Sequence, residues 1–270
     1  MSTKLLVPAR RHRFVDYPEG DGKPMAETPI HVLQIIALYM ALRWWFLPRQ
    51  DSFVGANMFL YYREGDPKKR IAPDVLVALG VPDHVRLSYK LWEEKQAPQA
   101  VFEITSCKTR KTDFGSKREI YAHLGVAEYY LFDPLGHYLN PPLRGYQLVD
   151  KEYVERELEA LPQFAEKSLN GAQGWRLVSN SLQLEFHAVP SNKPGWRYEL
   201  QVYDPATGKL VASPDEEREK RILFEQIALD AQARVEAATK ARQAVEAELT
   251  RLRAEIEKFR RSNGTDAAGQ

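Results

Sequence analysis

Val101-Phe-Glu-Ile-Thr-Ser106, Thr112-Asp-Phe-Gly-Ser-Lys-Arg-Glu-Ile-Tyr121 and Gly125-Val-Ala-Glu-Tyr-Tyr-Leu-Phe-Asp-Pro134 form the stretch on which the fold turns. The first block sits in a run, Gln99–Thr105, that is apolar apart from Glu103 and its polar ends, which predicts a strand buried on both faces. The second opens a helix over Asp113–Leu124, with Phe114, Lys117, Tyr121 and Leu124 spaced three, four and three apart along one stripe. Gly125 ends that helix, and Glu128–Phe132 follows as another strand, closed by Asp133-Pro134. Strand, helix and strand in succession predict an α/β core.

Working outward, Ile30–Phe46 reads as a helix ending in the aromatic run Trp44, Trp45 and Phe46, with both tryptophans expected in the core. Its length is marginal for a bilayer, and His31, Gln34 and Arg43 argue against a membrane span. Phe53–Tyr62 reads as a strand, Arg63–Arg70 as a turn-rich connection and Ile71–Leu79 as a further strand whose pairing starts after Pro73. Tyr198–Tyr203, before the turn Asp204–Gly208, is a late strand. The expected organisation is an irregular lead-in over 1–28, the α/β domain over 29–212, a charged, Ala-rich helix over 213–262, free of Gly and Pro from 215 onward, and a disordered tail over 263–270.

Two acids stand out within these strands. Side chains alternate faces along a strand, so Asp74 shares a face with Leu76 and Ala78, and Glu103 with Val101 and Thr105. A carboxylate among such residues is costly unless it is paired or binds a metal, and two on neighbouring strands make a hard oxygen site of the kind Mg²⁺ prefers. Lys117, on the inward stripe of the next helix, can point its ammonium at them. Metal-assisted phosphodiester hydrolysis uses this set. A bound ion lowers the pKa of water and neutralises oxygen charge, and a lysine positions the water or stabilises the transition state. Each residue also has a plain reading: Asp74 as a turn cap after Pro73, Glu103 on a solvent-facing edge, and Lys117 snorkelling.

With Ala72-Pro-Asp-Val-Leu-Val77 added, the four blocks, in this order, resemble the bacterial Uma-two family of restriction-endonuclease type, within the PD-(D/E)XK superfamily. The resemblance spans about residues 15–212. It implies a restriction-endonuclease-like core, a mixed central sheet flanked by helices, with Asp74 and Glu103 as the metal-binding acids. It aligns Glu27 loosely with an N-terminal family segment as a further metal ligand. The superfamily pattern places lysine at 105, where this chain has Thr105, so the lysine role passes to Lys117. The expected cofactor is Mg²⁺ or Mn²⁺, and the expected substrate is nucleic acid, DNA first.

Composition limits how that substrate can be held. With 38 basic and 37 acidic residues the net charge is +1, so no global basic field exists and any nucleic-acid binding must come from a local patch. Lys108, Arg110 and Lys111, just before the Lys117 helix, are candidates for phosphate contacts, and Lys68-Lys69-Arg70 reads as a solvated turn. The single cysteine, Cys107, excludes an intramolecular disulfide and a cysteine-built zinc site. It reads as incidental, and His31 and His123 read as structural. A reducing, cytoplasmic setting is the expectation.

The C-terminal helix carries a heptad seam through Val245, Leu249, Leu252, Ile256 and Phe259, interrupted upstream by Arg242. It is expected to form a coiled coil and a homodimer. Two functional readings follow: a Mg²⁺-dependent endonuclease, or a catalytically inactive member of the same fold acting as a binding or assembly module through that helix.

Overall fold

The computed structural model describes residues 15–20, 28–165, 172–211 and 251. The chain divides into two units, Met1–Ala212 and Ser213–Gln270. The fold below is that of the first. The expected C-terminal coiled coil, apart from Arg251, and Glu27 lie outside the described residues.

In chain order the elements begin with α1 (Pro29–Phe46), β1 (Ser52–Ala56), β2 (Leu60–Tyr61), β3 (Arg70–Ile71), β4 (Val75–Leu79), β5 (Tyr89–Lys90) and α2 (Leu91–Glu94). Next come β6 (Ala100–Ile104), α3 (Arg110–Thr112), a π turn (Asp113–Lys117), α4 (Arg118–Leu124) and β7 (Glu128–Phe132). The last are β8 (Leu143–Val149), β9 (Glu152–Glu155), β10 (Glu159–Leu161), α5 (Pro162–Ala165), β11 (Gly174–Ser179), β12 (Leu184–Pro190), β13 (Tyr198–Asp204) and β14 (Lys209–Leu210).

The central sheet runs β1-β4-β6-β7-β8-β9. Only β6 and β7 are parallel within it, joined across one face by α3 and α4. A second sheet, β10-β11-β12-β13-β14, is wholly antiparallel, and a small third sheet runs β3-β2-β5.

Alternation along β6 sorts the core onto two sides. Phe102 and Ile104 join Val75, Val77, Tyr130 and Phe132 against α1 and the second sheet. Val101 joins Leu76, Ala78, Tyr129 and Leu131 against Tyr121 of α4 and the small sheet. The mixed α/β core therefore differs from a sheet flanked by helices: one of its faces is covered jointly by α1 and a five-stranded sheet. The ring of Phe102 stacks on Tyr130 with centroids 4.6 Å apart and meets Phe186 of the second sheet edge-on at 4.9 Å.

Thr28 caps α1, accepting from the His31 amide, and Pro29 at the first turn needs no amide partner. Ile35, Leu38, Leu42 and Phe46 are its buried stripe. Trp45 packs partly against that core, whereas Trp44, expected inside, is 42% exposed because it falls off the stripe. No helix among the described residues is long and apolar enough to cross a membrane.

Two expected strands are each split. Phe53–Tyr62 breaks at Asn57, whose φ of 46° turns the chain and whose amide donates to the Asp74 carbonyl, so its halves enter different sheets. Ile71–Leu79 breaks at Ala72-Pro73, where proline cannot join a ladder.

Glu128, fully buried at the start of β7, ties the two large sheets together. Its carboxylate accepts from the Tyr130 and Ser179 hydroxyls and from the amides of Asn180 and Ser181. In Glu128→Gln one oxygen becomes an amide nitrogen facing donors. We expect a loss of about 1–3 kcal/mol, read as a lower denaturant midpoint at unchanged slope.

Candidate active site

The site is built at one end of the central sheet. The β4–β6 register pairs Val75 with Phe102, and continuing it sets Asp74 beside Glu103. The Asp74 carboxylate accepts from the Ile104 amide at 2.7 Å, replacing the next ladder bond with a side chain. His31, from the first turn of α1, sits on the same spot. Its Nε2 lies 2.6 Å from the Ile104 carbonyl, so that nitrogen carries the proton, and 3.4 Å from Asp74 Oδ2.

From the other side, the π turn and α4 deliver three groups. The ammonium of Lys117 donates to Glu103 Oε2 at 2.6 Å and stands 3.3 Å from Asp113 Oδ1. The Tyr121 hydroxyl donates to Glu103 Oε1 at 2.7 Å, so both carboxylate oxygens are engaged. Asp113, Lys117 and Tyr121 are four residues apart in turn and face inward together. The π turn at Asp113–Lys117 is a local widening often found at functional positions. Its Asp113 carbonyl receives the Tyr129 hydroxyl at 2.9 Å.

Electrostatics follow from burial. Glu103 is 1% exposed and Asp113 fully buried. Burial lifts the Glu103 carboxyl to about 8 against the attraction of Lys117, with Asp74 and Asp113 pushing the same way. Burial raises Asp113 too, again opposed by Lys117. Burial alone would lower Lys117, but Glu103, Asp113 and Asp74 together outweigh it and hold the ammonium above its usual range. Burial and the Glu103 charge raise Tyr121, which therefore stays a protonated donor. The Lys117 and Asp74 side chains keep 19% and 13% of their surface exposed, which opens the cluster to solvent.

The structure thus brings Glu103 and Lys117 into contact and sets Asp74 where its charge acts on both. Lys108, Arg110 and Lys111 are exposed on the segment just after β6, with Arg110 over the Tyr138 ring at 5.4 Å. Sequence reasoning missed Asp113 as a participant, although its spacing from Lys117 and Tyr121 was visible. His31 reads from the sequence as structural; nothing in the sequence links it to residues 74 and 104, which it meets here.

The family described as "Putative restriction endonuclease" (Uma2) matches residues 6–179. The chain belongs to the Uma2 family. Membership supports a nuclease-type function. The chain is also similar to a solved structure described as a putative nuclease belonging to DUF820 from Anabaena variabilis. The two share 17% identity with a TM-score of 0.38, over 54% of this chain and 78% of that one. No curated protein matches.

Restriction-endonuclease-like Uma2 members usually use divalent metals, so the fit of this cluster to such an ion matters. Three carboxyl groups face one ammonium, and burial pushes Glu103 and Asp113 toward their protonated forms. Asp113 is buried with Lys117 as its close ion-pair partner at 3.3 Å, and the hydroxyl of Thr105, two residues beyond Glu103 on the same face, is buried without a hydrogen bond. Among the described residues no three acidic, His or Cys side chains converge on one ligating point. Lys117 stands between Glu103 and Asp113 instead. The donors are of the oxygen type a hard divalent cation takes, but among the described residues they do not converge, and the lysine occupies part of the space between the acids.

Proposed function

We propose that this Uma2 protein is a divalent-metal-dependent endonuclease that hydrolyses phosphodiester bonds, in DNA. The observation that carries the reading is the 2.6 Å contact of Lys117 with Glu103 at a strand end that also feels the charges of Asp74 and Asp113. In this reading Asp74 and Glu103 are the ligands of Mg²⁺ or Mn²⁺. The ion, when bound, supplies an activated water and charge neutralisation at the phosphate.

The chain's own groups do the rest. The Ile104 amide fixes Asp74, and Tyr121 fixes Glu103 from the side opposite Lys117. Lys117, cationic at any working pH, holds the attacking water or the extra negative charge of the transition state. The apolar surroundings of Glu103 strengthen each of these charge interactions. Lys108, Arg110 and Lys111, all exposed, are the candidates in this reading for contacts with the substrate backbone. The reading of a non-catalytic module on the same fold is favoured by one observation, Thr105 where the superfamily pattern has lysine.

Nicking of supercoiled plasmid with Mg²⁺ or Mn²⁺, paired with calorimetric titration of Mn²⁺, separates the two. Wild type should nick and bind the ion, and Asp74→Ala/Glu103→Ala should do neither. Equal nicking by that variant would expose a contaminant and end the enzyme reading. Absence of nicking by wild type on any nucleic acid would leave the module.

A further inference from the structure

In a nearly neutral chain, one region is free of acids. Residues 105–112, 134–142 and 190–198 hold five lysines and arginines (Lys108, Arg110, Lys111, Lys193 and Arg197) and no aspartate or glutamate. The fold gathers all three segments at the sheet end that carries Glu103. The first follows β6 and the second follows its parallel neighbour β7, so both leave the same edge, and the Thr105 amide donates to Phe132 just before the second begins. The third is the β12–β13 turn, whose Arg197 and Tyr198 amides donate to the Pro134 carbonyl. At the far side of that turn, Gly195 lies against Ile30, next to His31 of the acidic cluster.

Three acids flank these segments: Asp113 is buried beside Lys117, and the other two are engaged by neighbouring groups. Asp133 is buried, and its carboxylate accepts from the amides of Leu135, Tyr138 and Leu139, which holds the 134–139 loop in place. Glu199 accepts from Lys193 at 2.9 Å and from Ser191. Aromatic rings are interleaved with the cations: Arg110 lies over Tyr138, Lys193 over Trp196 at 5.1 Å, and Arg197 over Tyr198 at 5.7 Å. Between the second and third segments lies an open pocket of about 400 Å³, lined by Leu135, His137, Gly195, Trp196 and Arg197.

The geometry points to a binding site for single-stranded nucleic acid, in which the pocket takes an unpaired base against Trp196 while Arg110, Lys111 and Arg197 follow the backbone past the acidic cluster. Two features separate this from a duplex-binding surface. A half-buried indole and an imidazole lining a concave pocket can stack on a base only when it is unstacked from its neighbours. The cations lie on two separate loops, 105–112 and 190–198, each of which touches the uncharged 134–142 loop beside the pocket. The inference rests on the nuclease reading for its role, but not for its test.

Binding is measured on the full chain in EDTA, by fluorescence anisotropy at fixed salt. The probes are labelled oligo(dT), oligo(rU) and a blunt DNA duplex. A single strand should bind more tightly than the duplex, and the tighter of the two single strands names the sugar. Trp196→Ala should weaken single-strand binding about tenfold and duplex binding hardly at all, while Trp196→Phe, which keeps a stacking face, restores most of it. Single-strand affinity unchanged in a folded Trp196→Ala, or tighter binding of the duplex, would overturn the site. If Trp196 matters in EDTA but neither plasmid nor single strand is cleaved with Mg²⁺ or Mn²⁺, this inference stands and the nuclease reading falls; cleavage with Trp196-independent binding does the reverse.

Discussion

Glu103→Gln is expected to abolish cleavage while making the metal-free protein more resistant to unfolding as the pH rises. The amide keeps the volume of the side chain and can still accept from Tyr121, but it removes a carboxylate from a site with 1% exposure. Loss of a metal-binding oxygen at the reacting centre should lower the cleavage rate on the order of 10³-fold. The stability effect has a definite sign. Folding moves Glu103 from its ordinary value of 4.5 to about 8. Across that window the folded state keeps a proton that the unfolded chain releases. Stability from this group therefore falls as pH rises from about 4.5 to about 8, by at most ~1.4 kcal/mol per pH unit, and is flat above. The difference in melting temperature between Glu103→Gln and wild type, measured in EDTA, should widen with pH over that range and then stop widening. Parallel melting curves at all pH values would show that Glu103 is not held in a charge-hostile place.

That trade-off has a structural logic. Lys117 and Tyr121 satisfy both oxygens of Glu103, yet burial still wins, because Asp74 and Asp113 add repulsion. A site so arranged is poorly stabilised alone and gains from a further cation. Strain of this kind is tolerated where it serves function.

How much of this could be read in advance depends on the range of the interaction concerned. β6, α4 and β7 were legible because each is set by local rules: an apolar run around Glu103, a four-residue stripe ended by Gly125 at φ 81°, and a run closed by Asp133-Pro134. Glu103 and Lys117 were legible for the same reason, since only a turn and a helix separate them. Asp74 depended on the resemblance, because its partner at Ile104 lies on another strand. The π turn was not legible. Nothing in Asp113-Phe-Gly-Ser-Lys117 distinguishes it from a regular helix start, and its Asp113 carbonyl is met by Tyr129 from a different strand. The five-stranded sheet was mostly missed: β10 and β11 alternate weakly and gain their order from pairing, although the alternation of Leu184, Phe186 and Ala188 with Glu185 and His187 in β12 was a readable strand signal. The grouping of Lys193 and Arg197 with Lys108, Arg110 and Lys111 was not legible, because the two segments lie far apart in the chain.

Lys117→Ala tests the cluster from the opposite direction. Without the ammonium, Glu103 and Asp113 lose their nearest cation, at 2.6 and 3.3 Å, and the acids are left to repel one another. Removing one partner of a buried ion pair costs about 3–5 kcal/mol, equivalent to a melting temperature lower by roughly 10 °C in a domain of this size. The loss should be larger at pH 8.5 than at pH 6, because Glu103 with its carboxyl near 8 can take up a proton at the lower pH and remove its own charge. Cleavage should fall by about 10²–10³-fold through loss of transition-state stabilisation. The decisive measurement is the rise in melting temperature on adding Mn²⁺. Anything that binds the folded state stabilises it in proportion to its binding, so if the ion and Lys117 share the same carboxylates, Mn²⁺ must stabilise Lys117→Ala more than wild type, and Glu103→Gln less. Equal shifts in all three proteins would place the ion away from this cluster, and the two acids and the lysine would then have to be read as a buried ion pair with no part in phosphodiester chemistry.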